Sequence, residues 1–221
     1  MQALGYPPGT MLGDLGRIYA AGGPLMHPIT ACSVVATSVI LYKLVQYRSL
    51  QLNVRDLFLQ VRQELLNGRV KEAGELCERR RGPVSSVLHA GILKIGAPRN
   101  EIESAMEATA LFELSRLEGK LGLLATIANL APILGFLGTV WGLILAFDVI
   151  HAGGLSDPAR IAGAIAQALY TTAWGLVVAA VTLPFHNFLA GRVAAQSRAL
   201  EVAGSVIVET FSEMERMGTK A

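Results

Sequence analysis

Two long apolar stretches between residues 121 and 189 carry hydroxyl and amide side chains that could serve a hydrated path. The candidates for such a path are neutral and polar, namely Asn129, Thr139, Gln167, Thr171 and Thr172. The ionisable Asp148 and His186 lie only towards the ends of the stretches. A proton relay needs a group that gains and loses a proton at accessible pH, which hydroxyls and amides do not. If protons move here, we expect another chain to supply the titrating group.

Small residues recur on one narrow face of each stretch. In the first, the spacing i, i+4, i+7, i+11 joins Gly135, Thr139, Gly142 and Ala146. In the second, helical spacing joins Ala164, Ala168, Thr172, Gly175, Ala179 and Thr182. Because small residues let membrane helices approach closely, we assign helix packing to Gly135, Gly138, Gly142 and Gly175.

The two threonines on these faces leave two interpretations open. A threonine in a membrane helix often bonds the carbonyl four residues before it, which is a purely local role. Alternatively, Thr139 and Thr172 face a lumen shared by adjacent helices. Pro132 and Pro184 each lack an N–H, and we expect them to kink their helices and so set the packing.

Three segments are long enough to cross a bilayer, which needs ~20 apolar residues. We place transmembrane helices at 24–47, 121–150 and 161–189. Basic residues cluster after the first span, before the second and after the third, and positive charge stays in the cytoplasm. This predicts a periplasmic segment 1–23, a cytoplasmic helical domain 48–120, a periplasmic loop 151–160 and a cytoplasmic C-terminal helix 190–221.

The domain between the first two spans has the patterns of short helices. Apolar residues spaced three and four apart follow Asn53, a candidate N-cap, and end near Gly68. Asn100 and Glu103 have the spacing of a capping box. We expect the helix that starts there to run into the second span without a break.

Composition excludes several classes of function. The net charge is +2, no basic stripe with aromatics occurs, and we expect no nucleic-acid partner. Cys32 and Cys77 are far apart and have no metal-ligand spacing, so a zinc site or a disulfide is not expected. No phosphate loop, nucleophile elbow or HExxH motif occurs, and we expect no cofactor and no enzymatic activity.

The two apolar stretches together resemble a known family. The runs are LLATIANLAPILGFLGTVWGLILAF and IAGAIAQALYTTAWGLVVAAVTLPFHNFL. They are similar to the ExbB/TolQ/MotA proton channel family, and the three-span layout with an external N-terminus is similar to its ExbB/TolQ branch. The similarity covers roughly residues 121 to 190 and is carried by AP-x4-LGTVWG together with AL-x2-T-x2-GL.

The resemblance implies an all-α subunit of a homo-oligomeric ring, held to be a pentamer, in the bacterial inner membrane. The ring would enclose membrane helices of an ExbD/TolR-type partner that brings one aspartate, and would pass work to a TonB- or TolA-like transducer. Thr139 and Thr172 match the family's pore threonines, and Pro132 matches its upstream proline. At Gln167 the sequence departs from the family, which usually has a glutamate there.

We therefore expect a stator subunit of a proton-driven motor. Uptake, envelope constriction, gliding and secretion all remain open as the work it performs. The alternative is a non-conducting scaffold that holds a partner helix, which the non-titrating Gln167 keeps open. Membrane lipid is expected around the spans.

Overall fold

The computed structural model describes residues 16, 18–49, 54–80, 82–153 and 157–216. In chain order, the longer helices of this part are α1 Met26–Ser49, α2 Val54–Leu66, α3 Val70–Arg79, α4 Pro83–Ile92, α5 Arg99–Glu118, α6 Leu121–Gly153 and α7 Pro158–Arg216. No strand occurs among these residues.

Three helical stretches are apolar and long enough to cross a membrane. They are Met26–Tyr47, Arg99–Gly153 and Pro158–Phe211. The prediction of an all-α membrane protein with three transmembrane helices is confirmed.

The chain divides into two compact units. One contains the described residues of 1–41 and 122–186, and the other contains those of 42–121 and 187–221. The first unit therefore holds the apolar parts of α1, α6 and α7. The second unit holds α2 to α5 with the last part of α7.

The second unit has its own hydrophobic core, in which the end of α7 packs against α2, α3, α4 and α5. Side chains from all five helices are almost fully buried there, among them Leu65, Cys77, Leu88, Met106 and Ile207. The periodic apolar residues of α2 point into this core, as their spacing of three and four requires.

Gly91 lies where three of these helices meet. A Cβ at Gly91 on α4 would lie 2.7 Å from the sulfur of Met106 on α5 and 3.3 Å from Ile207 on α7. A larger side chain at this point would require the flexible Met106 thioether to shift and Ile207 to give way slightly.

The expected continuous helix from Asn100 into the second span is wrong. α5 ends at Glu118, Gly119 has φ −47° and ψ 134°, and Lys120 has a left-handed φ of 69° before α6 starts. A positive φ is costly for a residue with a Cβ. The Lys120 ammonium lies 4.0 Å from the centre of the Tyr42 ring, a cation–π contact that stabilises the turn.

The expected capping box at the start of α5 is also wrong. The N-cap position belongs to Pro98, and no side chain caps it. The Glu103 carboxylate instead forms an ion pair at 2.8 Å with Arg99, which lies one turn earlier. It therefore does not cap the backbone at the start of α5. Asn53, the proposed cap of α2, lies outside the described residues.

Candidate functional site

The small residues of α6 and α7 bring the two backbones into direct contact. A Cβ at Gly175 would lie 2.5 Å from the Ala131 carbonyl oxygen, and one at Gly135 would lie 3.1 Å from the Thr172 Cα. Further along, a Cβ at Gly142 would lie 2.6 Å from that of Ala168. In these contacts the residue numbers on α7 fall as the residue numbers on α6 rise, so the two helices are antiparallel.

Thr172 links the two helices at the centre of this contact. Its hydroxyl donates to the carbonyl oxygen of Gly135 on α6 at 2.8 Å, and a longer contact of 3.3 Å runs to the Ala168 carbonyl on its own helix. The Thr172 side chain is partly buried. Its proton is therefore engaged between helices, while its oxygen keeps lone pairs that can accept a hydrogen bond.

Thr171, the neighbouring threonine, is almost completely buried, with 1% of its surface exposed. Its hydroxyl donates to the Ala168 carbonyl at 2.8 Å, so it bonds within its own helix. A Cβ at Gly138 would overlap this hydroxyl. The close-packed face of α6 thus passes through Gly138, and Thr139 lies beside that face.

Thr139 and Asn129 lie elsewhere on α6. The Thr139 hydroxyl donates to the Phe136 carbonyl at 2.6 Å, and the side chain is partly buried. Asn129 is exposed in the single chain. The described contacts do not bring either residue into the Thr172–Gly135 pair.

Gln167 lies against the segment that precedes α1. Gly23 has a φ of +69°, and a Cβ there would overlap the Gln167 amide nitrogen. A side chain at Gly23 would be strained by its backbone as well as by this contact. The Gln167 amide therefore lies close to the backbone of Gly23.

Both prolines lie inside unbroken helices. Pro132 is within α6 and Pro184 is within α7. Each removes the backbone N–H that would bond the carbonyl four residues earlier. Pro132 follows Ala131, whose carbonyl oxygen faces Gly175 across the helix contact.

Outside the packed face, α6 and α7 expose large apolar side chains. Phe136, Phe147 and Leu169 each leave more than 60% of their surface uncovered in the single chain. Such faces suit lipid or neighbouring helices. Among the described residues, no cluster of His, Cys, Asp and Glu could hold a metal ion.

Two polar groups are buried at positions where the sequence did not predict burial. Lys43 has 1% of its surface exposed, and its ammonium donates to the Leu117 carbonyl near the end of α5 at 2.7 Å. The indole N–H of Trp174 on α7 is buried, and no described residue accepts from it. In the sequence, a lysine next to a membrane span indicates only the orientation of that span, so the burial of Lys43 is seen only in the structure.

The thiol of Cys77 lies in the hydrophobic core of the second unit. Cys77 has 3% of its surface exposed, and burial raises the pKa of its thiol to about 11. The thiolate, which is the nucleophile, is therefore scarce near neutral pH.

Comparison with known proteins matches these same helices. Residues 79–202 match the sequence profile of the MotA/TolQ/ExbB proton channel family. This range includes α4, α5, α6 and most of α7.

Individual relatives agree with that match. The chain is 32% identical to a biopolymer transport protein ExbB homolog of Methanothermobacter thermautotrophicus, over 82% of this chain and 64% of the relative. It is 32% identical to the biopolymer transport protein ExbB-like 1 of Synechocystis, over 89% and 78%. Its identity to the Tol-Pal system protein TolQ of Haemophilus influenzae is 36%, over 44% of each chain.

Proposed function

Because the chain belongs to the MotA/TolQ/ExbB proton channel family, we propose that it is the ring-forming stator subunit of a proton-driven motor in the bacterial inner membrane. Membership of the ExbB/TolQ-like branch places it among membrane proteins of energy transduction. Copies of the chain, five in our proposal, surround the membrane helices of two copies of a single-span ExbD/TolR-type partner. The N-terminus is periplasmic and the C-terminus is cytoplasmic.

The observation that carries this proposal is the contact between α6 and α7. Glycines and threonines bring the two backbones together, and Thr172 donates to Gly135 across the contact. A close pair of helices forms a stiff wall, and stiffness keeps hydroxyl oxygens at fixed positions along a path. Thr139, Thr171, Thr172, Gln167 and Asn129 are the polar groups that we assign to this path.

The chemistry of the spans explains why a partner is needed. Residues 122–147 and 161–185 contain no Asp, Glu, Lys, Arg or His. Hydroxyls and amides relay hydrogen bonds, but they do not take up a proton at physiological pH. The partner's aspartate supplies the titrating group, and this chain supplies the polar wall around it. No enzymatic step is part of the proposal.

A second candidate function is a non-conducting scaffold. Position 167 carries an amide that lies against Gly23 rather than a carboxylate that could titrate. In that case the ring holds the partner helix in place and transmits force without ion flow. A TonB- or TolA-like transducer would be a further partner in either case.

Purification from native membranes tests the assembly. The complex is extracted in mild detergent through a tag on this chain, and its components are weighed by native mass spectrometry. We expect a ring of this chain with a small single-span protein that carries one membrane aspartate. A chain that emerges as a monomer, with no such protein, contradicts the stator proposal and the scaffold proposal together.

Ion flux separates the two proposals. The purified complex is reconstituted into vesicles that contain a pH-sensitive dye, and a membrane potential is imposed. Acidification that requires the partner's aspartate supports the motor. A complex that assembles fully and leaves the internal pH unchanged supports the scaffold.

A further inference from the structure

The break between α5 and α6 is only two residues long. α5 ends at Glu118 and α6 begins at Leu121. Gly119 has the extended backbone angle ψ 134°, and Lys120 has a left-handed φ of 69°. The conformation of these two residues therefore decides whether α5 and α6 are separate helices or one.

The local sequence opposes this break. Glutamate, lysine and leucine, which occupy positions 118, 120 and 121, are good helix formers, and only Gly119 disfavours a helix. The left-handed conformation of Lys120 is costly for any residue that has a Cβ. Contacts with another part of the fold must therefore stabilise the break.

Lys43 on α1 supplies the first of these contacts. Its ammonium donates to the carbonyl oxygen of Leu117 at 2.7 Å. In an uninterrupted helix the same oxygen would accept from the N–H of Leu121, four residues later. The break leaves this carbonyl without its helical donor, and the Lys43 ammonium takes the place of that donor.

Tyr42, the residue before Lys43, supplies the second contact. The Lys120 ammonium lies 4.0 Å from the centre of the Tyr42 ring. Two adjacent residues of α1 therefore hold both sides of the break, since Lys43 binds the end of α5 and Tyr42 binds the left-handed residue before α6. All of these residues belong to the second compact unit.

The burial of Lys43 makes this arrangement reversible. The side chain has 1% of its surface exposed, and the described residues offer its three N–H donors one acceptor and no carboxylate. A buried charge with so few partners is costly. Release of Lys43 would restore the hydration of its ammonium and free the Leu117 carbonyl for the Leu121 N–H.

We propose that Tyr42 and Lys43 form a latch that keeps α5 and α6 apart, and that release of the latch joins them into one continuous helix in a second state of the chain. The latch thus controls the start of the helix that carries Thr139. This inference does not depend on proton flow, because the conformation of the backbone at residues 119 and 120 is its direct readout.

Hydrogen–deuterium exchange of the full-length chain in detergent tests the latch. With the latch closed, the first four N–H groups of α6 have no acceptor within their helix, whereas a continuous helix protects them. Lys43→Met removes the ammonium and keeps a long side chain. We expect it to lower the uptake of a peptide spanning residues 117–125 by about two to four deuterons. A contact that only stabilises the fold predicts the opposite, a higher uptake.

Two substitutions at Lys120 form a matched pair, since both remove the same cation–π contact. Alanine is the best helix former, so Lys120→Ala should lower the uptake of the same peptide. Glycine adopts a positive φ without strain, so Lys120→Gly should keep the break and leave the uptake unchanged. An equal change of uptake in both variants overturns the proposal. If Lys43→Met instead raises the uptake of the whole second unit because it unfolds, the Lys120 pair decides.

The control for the loss of a charge is Lys71→Met, which removes an exposed lysine of α3. It should leave the uptake of the 117–125 peptide unchanged. A decrease as large as that in Lys43→Met would show that the loss of any positive charge has this effect, and it would overturn the latch. Uptake that stays the same in both Lys43→Met and Lys120→Ala, or that rises in this peptide alone, also overturns it.

Discussion

The hydroxyl of Thr172 on α7 donates to the carbonyl oxygen of Gly135 on α6 across 2.8 Å. This bond joins the two helices within the stretch where small residues bring their backbones together. The threonine to which we assign a role in conduction is therefore also part of the helix contact. Substitutions at this position would change both the polarity of the proposed path and the packing of α6 against α7.

The first prediction separates these two effects at position 172. Thr172→Ser keeps the donor and should retain stability, whereas Thr172→Val removes the bond to Gly135 at a cost of about 1 kcal/mol. Thermal unfolding of the detergent-solubilised complex measures the difference. Native mass spectrometry should show that Thr172→Val still assembles. A Thr172→Ser variant as unstable as Thr172→Val would show that the methyl group, and not the hydroxyl, matters.

The second prediction concerns the closest backbone approach. Gly175→Ala places a Cβ 2.5 Å from the Ala131 carbonyl oxygen and should cost about 1–3 kcal/mol, because the helices must move apart. Gly163→Ala on the same helix is the matched control, since a Cβ there meets nothing within 4 Å. Thermal midpoints of the two variants should differ by several degrees. If they coincide, the contact between α6 and α7 is looser than described.

The third prediction concerns Gln167. Because this amide lies against Gly23, Gln167→Ala should loosen the segment before α1 and reduce ion flux less than valine at Thr139 or Thr172 does. Flux into vesicles at matched protein content measures the order of the three variants. Complete loss of flux in Gln167→Ala, with normal assembly, would make the amide an essential member of the path.

The fourth prediction concerns pH and the Cys77 thiol. Its pKa is raised from 9.0 to about 11 in the folded chain, so between these values the unfolded chain loses the proton first. Stability should therefore be unaffected by this thiol below pH 9 and should fall as the pH rises towards 11. A Cys77→Ala variant should lack this alkaline slope.

Labelling provides the direct readout of that shift. At pH 8, in a Cys32→Ser background, Cys77 should react with a soluble maleimide about a hundredfold more slowly in the folded chain than after unfolding in detergent. Equal rates in the two states would mean that the thiol is accessible and unperturbed.

The sequence predicted the membrane helices better than their junctions. Long apolar runs and Gly/Thr spacing identified α6 and α7, because periodicity depends on residues close in the chain. The break at Gly119 and Lys120 was missed, since the cation–π contact of Lys120 with Tyr42 joins distant residues. Local spacing likewise suggested a capping box at Asn100, but Arg99 takes the Glu103 carboxylate.

In the candidate site, too, the sequence predicted local features but not contacts between residues far apart in the chain. Helical spacing predicted that small residues share one face of α6. It did not show whether Gly138 or Thr139 lies in the contact with α7, because adjacent residues are about 100° apart around a helix and both border that face. The contact of Gln167 with Gly23 and the burial of Lys43 both depend on segments far away in sequence. Such contacts follow from tertiary packing alone.

The most direct measurement is proton flux through the reconstituted complex with valine at the two candidate pore threonines. Thr139→Val and Thr172→Val should each abolish partner-dependent acidification while the complex keeps its native mass. Thr126→Val is the matched control, since Thr126 is exposed on α6 and bonds only the Gly122 carbonyl of its own helix at 2.9 Å. The account predicts normal flux in Thr126→Val and none in the other two; undiminished flux in both Thr139→Val and Thr172→Val would contradict it.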